Sequence, residues 1–433
     1  MGKDVVQTYK IPIQKPVSTD WKTFGKVAGD ITYNLIKVMN DVMTMNYVHI
    51  QEKFEYKNKT GENFNVEEHY GVRSYTTIIN RTLKEKYGEC EIPSDLLEQA
   101  VRESINVFNT NSLEVLKGNA SLMVFRRDQP IPVRGRSLKI SEDYTVKLPF
   151  LTKELAKYYG FTGVGKQSFE VQLKTHKNSK VILDRILSGE YKVADSKVQR
   201  DLKGKWYLLL SYKQPVKEKK MNKDRVMGID LGISKAVYVA LNDSKENFFI
   251  GGGEVSSFRR RIRARRKDLQ NQLRVCSDNR KGHGRKTLLK PLNTLSEKEK
   301  NFRDTVNHRY SKKIVEWAVD KEVATIQMED LSGISNGNSF LSNWDYFDLQ
   351  SKIEYKAKRE GIEVKRIKPD YTSQRCNECG HVHRENRIEQ EIFKCVECGH
   401  KTNADLNASR NIAIKGIEGI IDKEIKNKKT SSV

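Results

Sequence analysis

The chain has 433 residues, of which 79 are Lys or Arg and 56 are Asp or Glu, giving a formal net charge of +23. This length allows two or three domains with sizeable cores, and the positive charge predicts a polyanionic partner, most simply nucleic acid. No stretch has the length and apolarity of a membrane span, and the N-terminal residues lack the apolar core of a signal peptide, so we expect no membrane partner and a cytoplasmic protein.

The first part of the chain predicts a strand followed by a helical region. Residues 4–16 indicate an extended segment, and a helix N-cap signal ends at Asp20. Apolar residues then recur at intervals of three and four over 21–45, which is typical of a long amphipathic helix. This apolar stripe is either the core face of a bundle helix or a surface shared with a second copy of the chain. Two more helices are predicted, at about 74–88 and 93–117.

From about 120 to 215 the pattern favours strands separated by turn residues. The predicted strands are 122–125, 144–148, 168–173 and 206–212, with one helix near 152–159. They indicate a small antiparallel barrel. Basic residues on it suit a phosphate backbone, although a solvated barrel face explains them almost as well. These residues are Arg126, Arg127, Arg134, Arg136 and Lys174.

The second half of the chain alternates strands with helices after a charged linker at 216–224. The predicted order is three strands, a long helix, a strand, a helix, a strand and a final helix, at 225–230, 236–241, 247–251, 296–320, 323–328, 343–360, 362–367 and from 405 onward. A basic stretch at 258–290, with 13 Lys or Arg and two Asp, precedes the long helix. This order of elements is the ribonuclease-H-like pattern.

Three acids fall at matching places in this pattern. Asp230 ends the first strand, Glu329 ends the fourth, and Asp405 opens the last helix. A single acid after a strand is often a turn or cap residue, but three carboxylates from separate elements are what a two-metal phosphodiester site needs. We therefore expect these three residues to bind two Mg²⁺ ions.

Four of the six cysteines form a metal-ligand pattern. Cys376 and Cys379 are followed, after fifteen residues, by Cys395 and Cys398, and a glycine follows each pair. This spacing predicts one structural Zn²⁺ with four thiolate ligands. The alternative, two disulfides, belongs to secreted proteins and does not fit a chain without a signal peptide. Cys90 and Cys276 stand alone, and we expect them to be free thiols.

Four motifs in the second half resemble those of two related families, the transposon-encoded nuclease TnpB and the miniature type V-F CRISPR effectors. The motifs are Gly228-Ile229-Asp230-Leu231-Gly232, Met328-Glu329-Asp330-Leu331-Ser332-Gly333, the four cysteines, and Asn403-Ala404-Asp405-Leu406-Asn407-Ala408-Ser409-Arg410-Asn411-Ile412. They cover about 225–415, roughly half of the chain. The first 220 residues match only in architecture, and their long helical part favours the CRISPR effectors.

The resemblance implies a multidomain α/β fold plus a β-barrel. The implied domains are a wedge β-barrel at 1–17 and 119–215, an inserted helical recognition lobe at 18–118, a linker at 216–224, a ribonuclease-H-like RuvC nuclease domain at 225–370 and 403–424, an inserted zinc ribbon that binds target nucleic acid at 371–402, and a tail at 425–433.

The resemblance also implies an RNA-guided DNA endonuclease of prokaryotes. A guide RNA would pair with one strand of double-stranded target DNA, and the N-terminal lobe would read a short flanking duplex motif. Asp230, Glu329 and Asp405 would hold Mg²⁺. Arg387 lies where the family carries an arginine between the cysteine pairs and would stabilise charge on the scissile phosphate, unless it is only a surface charge of the zinc ribbon.

Several alternatives remain at this stage. The chain could be a TnpB-type guided nuclease acting as a monomer, a zinc-ribbon regulator that binds nucleic acid without cutting it, or a cut-and-paste transposase on the same fold. The regular stripe at 21–45, together with the small size of the type V-F effectors, leads us to expect a homodimer on one guide RNA.

Overall fold

The computed structural model describes residues 4–126, 129–161, 168–201, 203–216, 219–232, 235–276, 283–331, 346–369, 371–389, 391–420 and 423. The chain divides into two compact units, Met1–Pro215 and Val216–Val433. None of the described helices combines the length and apolarity that crossing a bilayer requires.

The first unit combines antiparallel strands with a helical insertion. Its elements are β1 (Asp4–Pro16), α1 (Trp21–Thr60), α2 (Val66–Tyr70), α3 (Tyr75–Glu91), α4 (Ser94–Leu116), β2 (Ile131–Val133), β3 (Lys139–Ile140), β4 (Thr145–Leu148), α5 (Lys153–Tyr158), β5 (Phe169–Leu173), α6 (Lys177–Leu187), β6 (Lys192–Val193), β7 (Ser196–Arg200) and β8 (Trp206–Pro215). The strands at 4–16, 144–148, 168–173 and 206–212 and the helices at 74–88, 93–117 and 152–159 are thereby confirmed, within a few residues at their ends.

Helix α1 is longer than its apolar stripe. The Asp20 carboxylate caps its start by accepting from the backbone N–H of Thr23 at 2.7 Å, and Gly61, at φ +77°, ends it. The polar residues after Met45 were not predicted to be helical. They continue the helix, and His49 within them belongs to an aromatic cluster in which its ring stacks on that of Tyr75 at 3.7 Å.

The apolar stripe of α1 lies in the core of the first unit. Phe24, Ile31, Leu35 and Val42 are all buried within the chain itself. The interpretation as a bundle core is therefore confirmed, and the alternative, in which these side chains contact a second copy, is wrong. Trp21, at the start of the stripe, is partly exposed.

The strands of the first unit form one curved antiparallel sheet. Its order is β2-β7-β8-β1-β5-β4-β3, with β6 also paired to β8. Strand β1 pairs with β8 along its first part and with β5 beyond an irregularity between Ile13 and Lys15, so it joins the two sides. In the described part of the chain the pairings trace an open path, so the barrel expected from the sequence is a half-barrel.

Two local predictions for this sheet need correction. Residues 122–125 are not a strand. The Asn40 side chain of α1 binds both backbone groups of Phe125, donating to its carbonyl at 3.1 Å and accepting from its N–H at 2.8 Å. Arg134 pairs with Asp95 and Glu98 of α4, so this side chain anchors a helix to the sheet. Arg127 lies outside the described residues.

The second unit is a five-stranded sheet with helices on both faces and a small cysteine-rich insertion. Its elements are β9 (Asn222–Asp230), β10 (Lys235–Leu241), β11 (Asn247–Gly251), α7 (Gly253–Cys276), α8 (His283–Asp320), β12 (Val323–Glu329), α9 (Tyr346–Arg359), β13 (Glu363–Ile367), β14 (Ile392–Lys394), β15 (Lys401–Asn403) and α10 (Ala404–Ile412). The strand order in the sheet is β11-β10-β9-β12-β13, with β11, β10 and β9 antiparallel and β9, β12 and β13 parallel. Along the chain the elements follow the predicted order, with α7 as an additional helix.

Alternate residues of β9 and β12 face opposite helical layers. Ile229 and Met328 belong to the core that includes Ile314 of α8 and Ile353 of α9. Gly228 and Gln327 face α10 on the other side, where the Gln327 amide donates to the carbonyl of Ile412 at 2.5 Å. The acids at 230 and 329 are therefore on the α10 face.

Three boundaries differ from the sequence predictions. Strand β9 begins at Asn222, where the chain already pairs with β12 and its N–H donates to the carbonyl of Glu322 at 2.8 Å, so the linker is three residues shorter than expected. The basic stretch is largely helical, because Phe258, Ile262 and Leu269 bury one face of α7 against Leu295. Helix α8 consequently begins at His283 rather than 296. Residues 332–345, which include the start of the helix predicted at 343–360, lie outside the described residues.

Candidate active site and metal centre

The three predicted acids meet in one cavity on the α10 face of the second unit. The cavity has a volume of about 220 Å³. Asp230 and Glu329 reach it together because β9 and β12 run parallel and end at the same edge of the sheet. The lining includes Asp230, Gly232, Glu329, Ser373, Arg387, Glu391, Ala404 and Asp405.

Asp405 reaches the cavity because α10 approaches β9 unusually closely. A Cβ on Gly228 would lie 2.1 Å from the carbonyl oxygen of Ser409 and 2.4 Å from the backbone nitrogen of Ala413, so only glycine permits this packing. The start of α10 is fixed by Asn403, whose side-chain oxygen accepts from the N–H of Asp405 at 3.1 Å.

Glu329 is held at both its side chain and its main chain. The Thr372 hydroxyl donates to Oε1 of Glu329, and the Gln350 amide of α9 donates to the Glu329 carbonyl at 2.6 Å. Thr372 is itself fixed, since the Asn411 amide of α10 donates to its carbonyl at 2.9 Å. Thr372, Gln350 and Asn411 are fully buried. These supporting contacts keep one carboxylate in place at the floor of the cavity.

The charges in the cavity favour a bound cation. Burial, and then the neighbouring carboxylates of Glu329 and Asp405, raise the pKa of Asp230 to about 8, although Arg387 opposes the shift. Burial also raises the pKa of Asp405, against the effects of Lys235 and Arg387. Buried carboxylates that repel one another are stabilised by a hard divalent cation, which prefers oxygen ligands. The donor set therefore fits Mg²⁺.

Two further charged residues of the cavity come from the cysteine-rich insertion. Arg387 forms an isolated bridge with Phe393 of β14, and the carbonyl of Glu391 accepts from the N–H of Ala404 at 3.0 Å. The second of these contacts attaches the segment next to Asp405. The sequence analysis identified Arg387 but missed Glu391, because an acid outside any motif carries no distinguishing signal. It also missed Thr372 and Gln350, whose roles depend on tertiary contacts.

The four predicted zinc ligands converge at one point. Their sulfur atoms all lie within 4.8 Å of one another. The Sγ atoms of Cys376 and Cys398 are 3.8 Å apart, and those of Cys379 and Cys395 are 3.6 Å apart. A tetrahedron with Zn–S bonds of ~2.3 Å has edges of about 3.8 Å, so the cluster fits one Zn²⁺.

The two cysteine pairs form equivalent turns. In the first, the N–H of Cys376 donates to the carbonyl of His381 at 2.9 Å, and Gly380 adopts a φ of +80°. The second pair repeats both features at Cys395 and Gly399. The left-handed backbone explains the glycine after each pair. The side chains of Cys90 and Cys276 lie outside the described residues.

The zinc centre and the acids share a hydrogen-bonded support. On α10, the buried amide of Asn407 donates to the carbonyl of Arg375 at 2.8 Å and its oxygen accepts from the N–H of Asn377 at 3.0 Å, on both sides of Cys376. Asn411 contacts the same carbonyl at 2.6 Å and also holds Thr372. Helix α10 thus fixes the first cysteine turn and the residue that orients Glu329.

Comparisons with known proteins agree with this arrangement. A family model described as "Cas12f1-like, TNB domain" matches residues 346–412, and one described as "Probable transposase" matches 209–335. The CRISPR-associated endodeoxyribonuclease Cas12f1 of Sulfoacidibacillus thermotolerans is 37% identical over 428 residues, covering 98% of this chain and 100% of that protein. The Cas12f1 protein of Syntrophomonas palmitatica is 39% identical over 352 residues, 77% of this chain and 70% of that protein.

A solved structure has the same fold. The cryo-EM structure of a Cas12f1–sgRNA–target DNA complex matches with a TM-score of 0.68 at 22% identity, covering 95% of this chain and 99% of that one. Together with the nearly full-length sequence match, these likenesses lead to one conclusion: the chain belongs to the Cas12f1 family of CRISPR-associated endodeoxyribonucleases, the miniature type V-F group related to TnpB.

Proposed function

We propose that the chain is an RNA-guided DNA endonuclease whose metal-dependent site consists of Asp230, Glu329 and Asp405. The observation that carries the proposal is the meeting of these three carboxylates in one cavity, in a chain 37% identical over nearly its whole length to a CRISPR-associated endodeoxyribonuclease. The formal charge of +23 suits a chain that holds RNA and DNA together.

The residues of the cavity would have different chemical roles. Asp230, Glu329 and Asp405 would bind two Mg²⁺ ions, which supply stabilisation of the attacking and leaving oxygens in phosphodiester hydrolysis. The Arg387 guanidinium lines the same cavity and would stabilise negative charge developing on the phosphate. Thr372 and Gln350 hold Glu329 in its binding orientation.

We assign the domains on the same basis. The second unit, from Asn222 to about 370 and from Asn403 onward, would be the ribonuclease-H-like RuvC nuclease domain, and 371–402 the zinc ribbon that contacts target nucleic acid. In the first unit, the half-barrel would be the wedge and the helical insertion at 18–118 the recognition lobe that reads a flanking duplex motif. A guide RNA would pair with the target strand.

The proposal is tested by removing one carboxylate at a time. Asp230→Ala, Glu329→Ala and Asp405→Ala should each abolish cleavage of guide-matched DNA in Mg²⁺ while guide and DNA binding persist, and double variants should be no worse than single ones. Asp224→Ala is a matched control, because Asp224 lies on the same strand and is exposed. A variant of the three acids that cuts at the normal rate would remove that residue from the site.

One alternative function makes a different prediction. A cleavage-independent regulator would bind guide RNA and DNA but never cut the DNA. The presence of all three acids argues against this alternative.

We also propose two copies of the protein on each guide RNA, with contacts outside the buried stripe of α1. The mass of the purified protein–RNA–DNA complex measures this directly, and a single copy in an active complex would favour the TnpB-type monomer.

A further inference from the structure

One exposed aromatic residue lies on the same face of the sheet as the acid cavity. In the register of the second sheet, Asp230 pairs with Tyr238, and Tyr238 pairs with Phe249. Side chains of directly paired residues project from the same face, so the three form a row leading away from the cavity. Tyr238 is 6% exposed, whereas Phe249, at the sheet edge, is 53% exposed. The preceding Phe248 faces the other way and packs on Trp317 at 5.1 Å.

A lysine ammonium lies over this row. Nζ of Lys235 is 4.9 Å from the ring centroid of Phe249 and 5.1 Å from that of Tyr238. The same ammonium lowers the pKa of Asp405, although burial outweighs it, so Lys235 acts electrostatically on the cavity as well. The Phe249 ring also stacks on that of Tyr238 at 5.7 Å. A half-exposed aromatic ring beside a cation is a combination with which proteins bind single-stranded nucleic acid, by stacking on a base and neutralising a phosphate.

The distance along the row suits a short piece of one DNA strand. Phe249 is two strand spacings from Asp230, or ~10 Å. At the ~3.4 Å rise per nucleotide of a DNA strand, this distance corresponds to about three nucleotides. A strand whose phosphate lies at the acids can therefore bring a neighbouring base to Phe249.

We propose that Phe249 and Lys235 form a nucleotide subsite for the DNA strand being cut. Phe249 stacks on a base within about three nucleotides of the scissile phosphate, and Lys235 contacts the adjoining phosphate. This inference rests on the proposed function of the three acids and adds to it the element that positions the strand.

The chain offers a matched control for this proposal. Phe347 of α9 is 58% exposed and has the Arg366 guanidinium 5.3 Å from its ring centroid. Arg366 pairs with Met328, whose side chain faces the core with α8 and α9, so this second ring lies on the face opposite the acids. Isolated exposed rings are common on proteins, and Phe347 represents that ordinary case.

The experiment uses the guide RNA complex of the Asp230→Ala variant with target DNA that carries 2-aminopurine at one position at a time, three on each side of the mapped cut. A stacked 2-aminopurine is quenched. We expect the fluorescence of at least one probe position to be quenched when Phe249 is present. That fluorescence should recover in Phe249→Ala and in Phe249→Leu, which retains apolar volume. It should be quenched again in Phe249→Trp, which restores an aromatic ring. Phe347→Ala should change nothing.

Binding measurements complete the test. Phe249→Ala should weaken binding of the single-stranded region about five-fold or more, and Lys235→Ala should lower the salt dependence of binding by about one phosphate contact. If the fluorescence of no probe position changes in Phe249→Ala, and the Asp230→Ala complex leaves its DNA uncut, the subsite is refuted and the acid site stands. If the Asp230→Ala complex cuts DNA, the acid assignment is refuted and the subsite with it.

Discussion

The close packing of α10 on β9 makes Gly228→Ala the sharpest test of how the site is built. The new Cβ would lie 2.1 Å from the Ser409 carbonyl oxygen, whereas ordinary contact begins at 3.4 Å, so α10 must move away by about 1.3 Å. Asp405 lies in the first turn of that helix and moves with it. A displacement of ~1 Å at a catalytic group can cost about 10²-fold in rate, and overpacking of a core costs ~1–3 kcal/mol in stability.

The assay is single-turnover cleavage of guide-matched DNA in saturating Mg²⁺, with DNA affinity and thermal unfolding measured in parallel. Gly228→Ala should cut about a hundred times more slowly, bind DNA normally and unfold at a lower temperature. Gly251→Ala on β11 is the control, because a Cβ there meets nothing within 4 Å. If Gly228→Ala cuts within about three-fold of the unmodified protein, the packing of α10 does not position Asp405 and the reasoning is wrong.

Three further outcomes follow from the zinc centre, from Thr372 and from the buried acids. Cys395→Ser should bind less zinc and cut more slowly, and less than half an equivalent of zinc in unmodified protein purified without chelators would contradict the zinc assignment. Thr372→Val removes a hydrogen bond to a carboxylate, worth ~1.5–3 kcal/mol. The Mg²⁺ concentration for half-maximal cleavage should therefore rise about ten-fold or more. The control is Ser409→Ala, which is equally buried on α10 and should leave that concentration unchanged. Because the pKa of Asp230 rises from 3.8 to about 8 on folding, the metal-free folded protein retains a proton that the unfolded chain releases, so its free energy of unfolding should fall as pH rises between these values. Calorimetry should show the stabilisation by Ca²⁺ growing over this range, and Asp230→Asn should flatten both trends.

The order of elements in the second unit was predictable because apolar runs mark its strands in the sequence. The strand predicted at 225–230 ends in Asp230, and the one at 323–328 is followed directly by Glu329. Parallel strands that end at one edge bring those acids together. The cysteine spacing was equally informative, since two residues between ligands leave few other geometries. These signals are local, and the sequence carries them directly.

Other features depended on contacts that no local pattern records. Helix α7 was not predicted because basic residues surround the buried Phe258, Ile262 and Leu269. The prediction of a strand at 122–125 was wrong, and Asn40, over eighty residues away, binds the backbone of Phe125. The close packing of α10 on Gly228 is a second contact of this kind. Thr372 and Gln350 became meaningful only once Glu329 was found between them.

The late position of α10 in the sequence has a consequence for biosynthesis. Strands β9, β10 and β11 are neighbours in sequence and can pair early, and β12 and β13 can join them once the α7–α8 segment has been made. At that stage the sheet carries Asp230 and Glu329 without Asp405. A nascent chain that has not yet reached α10 therefore lacks a complete cluster of acids. If these acids form the cutting site as proposed, the ability to cut DNA would arise only when α10 docks against Gly228.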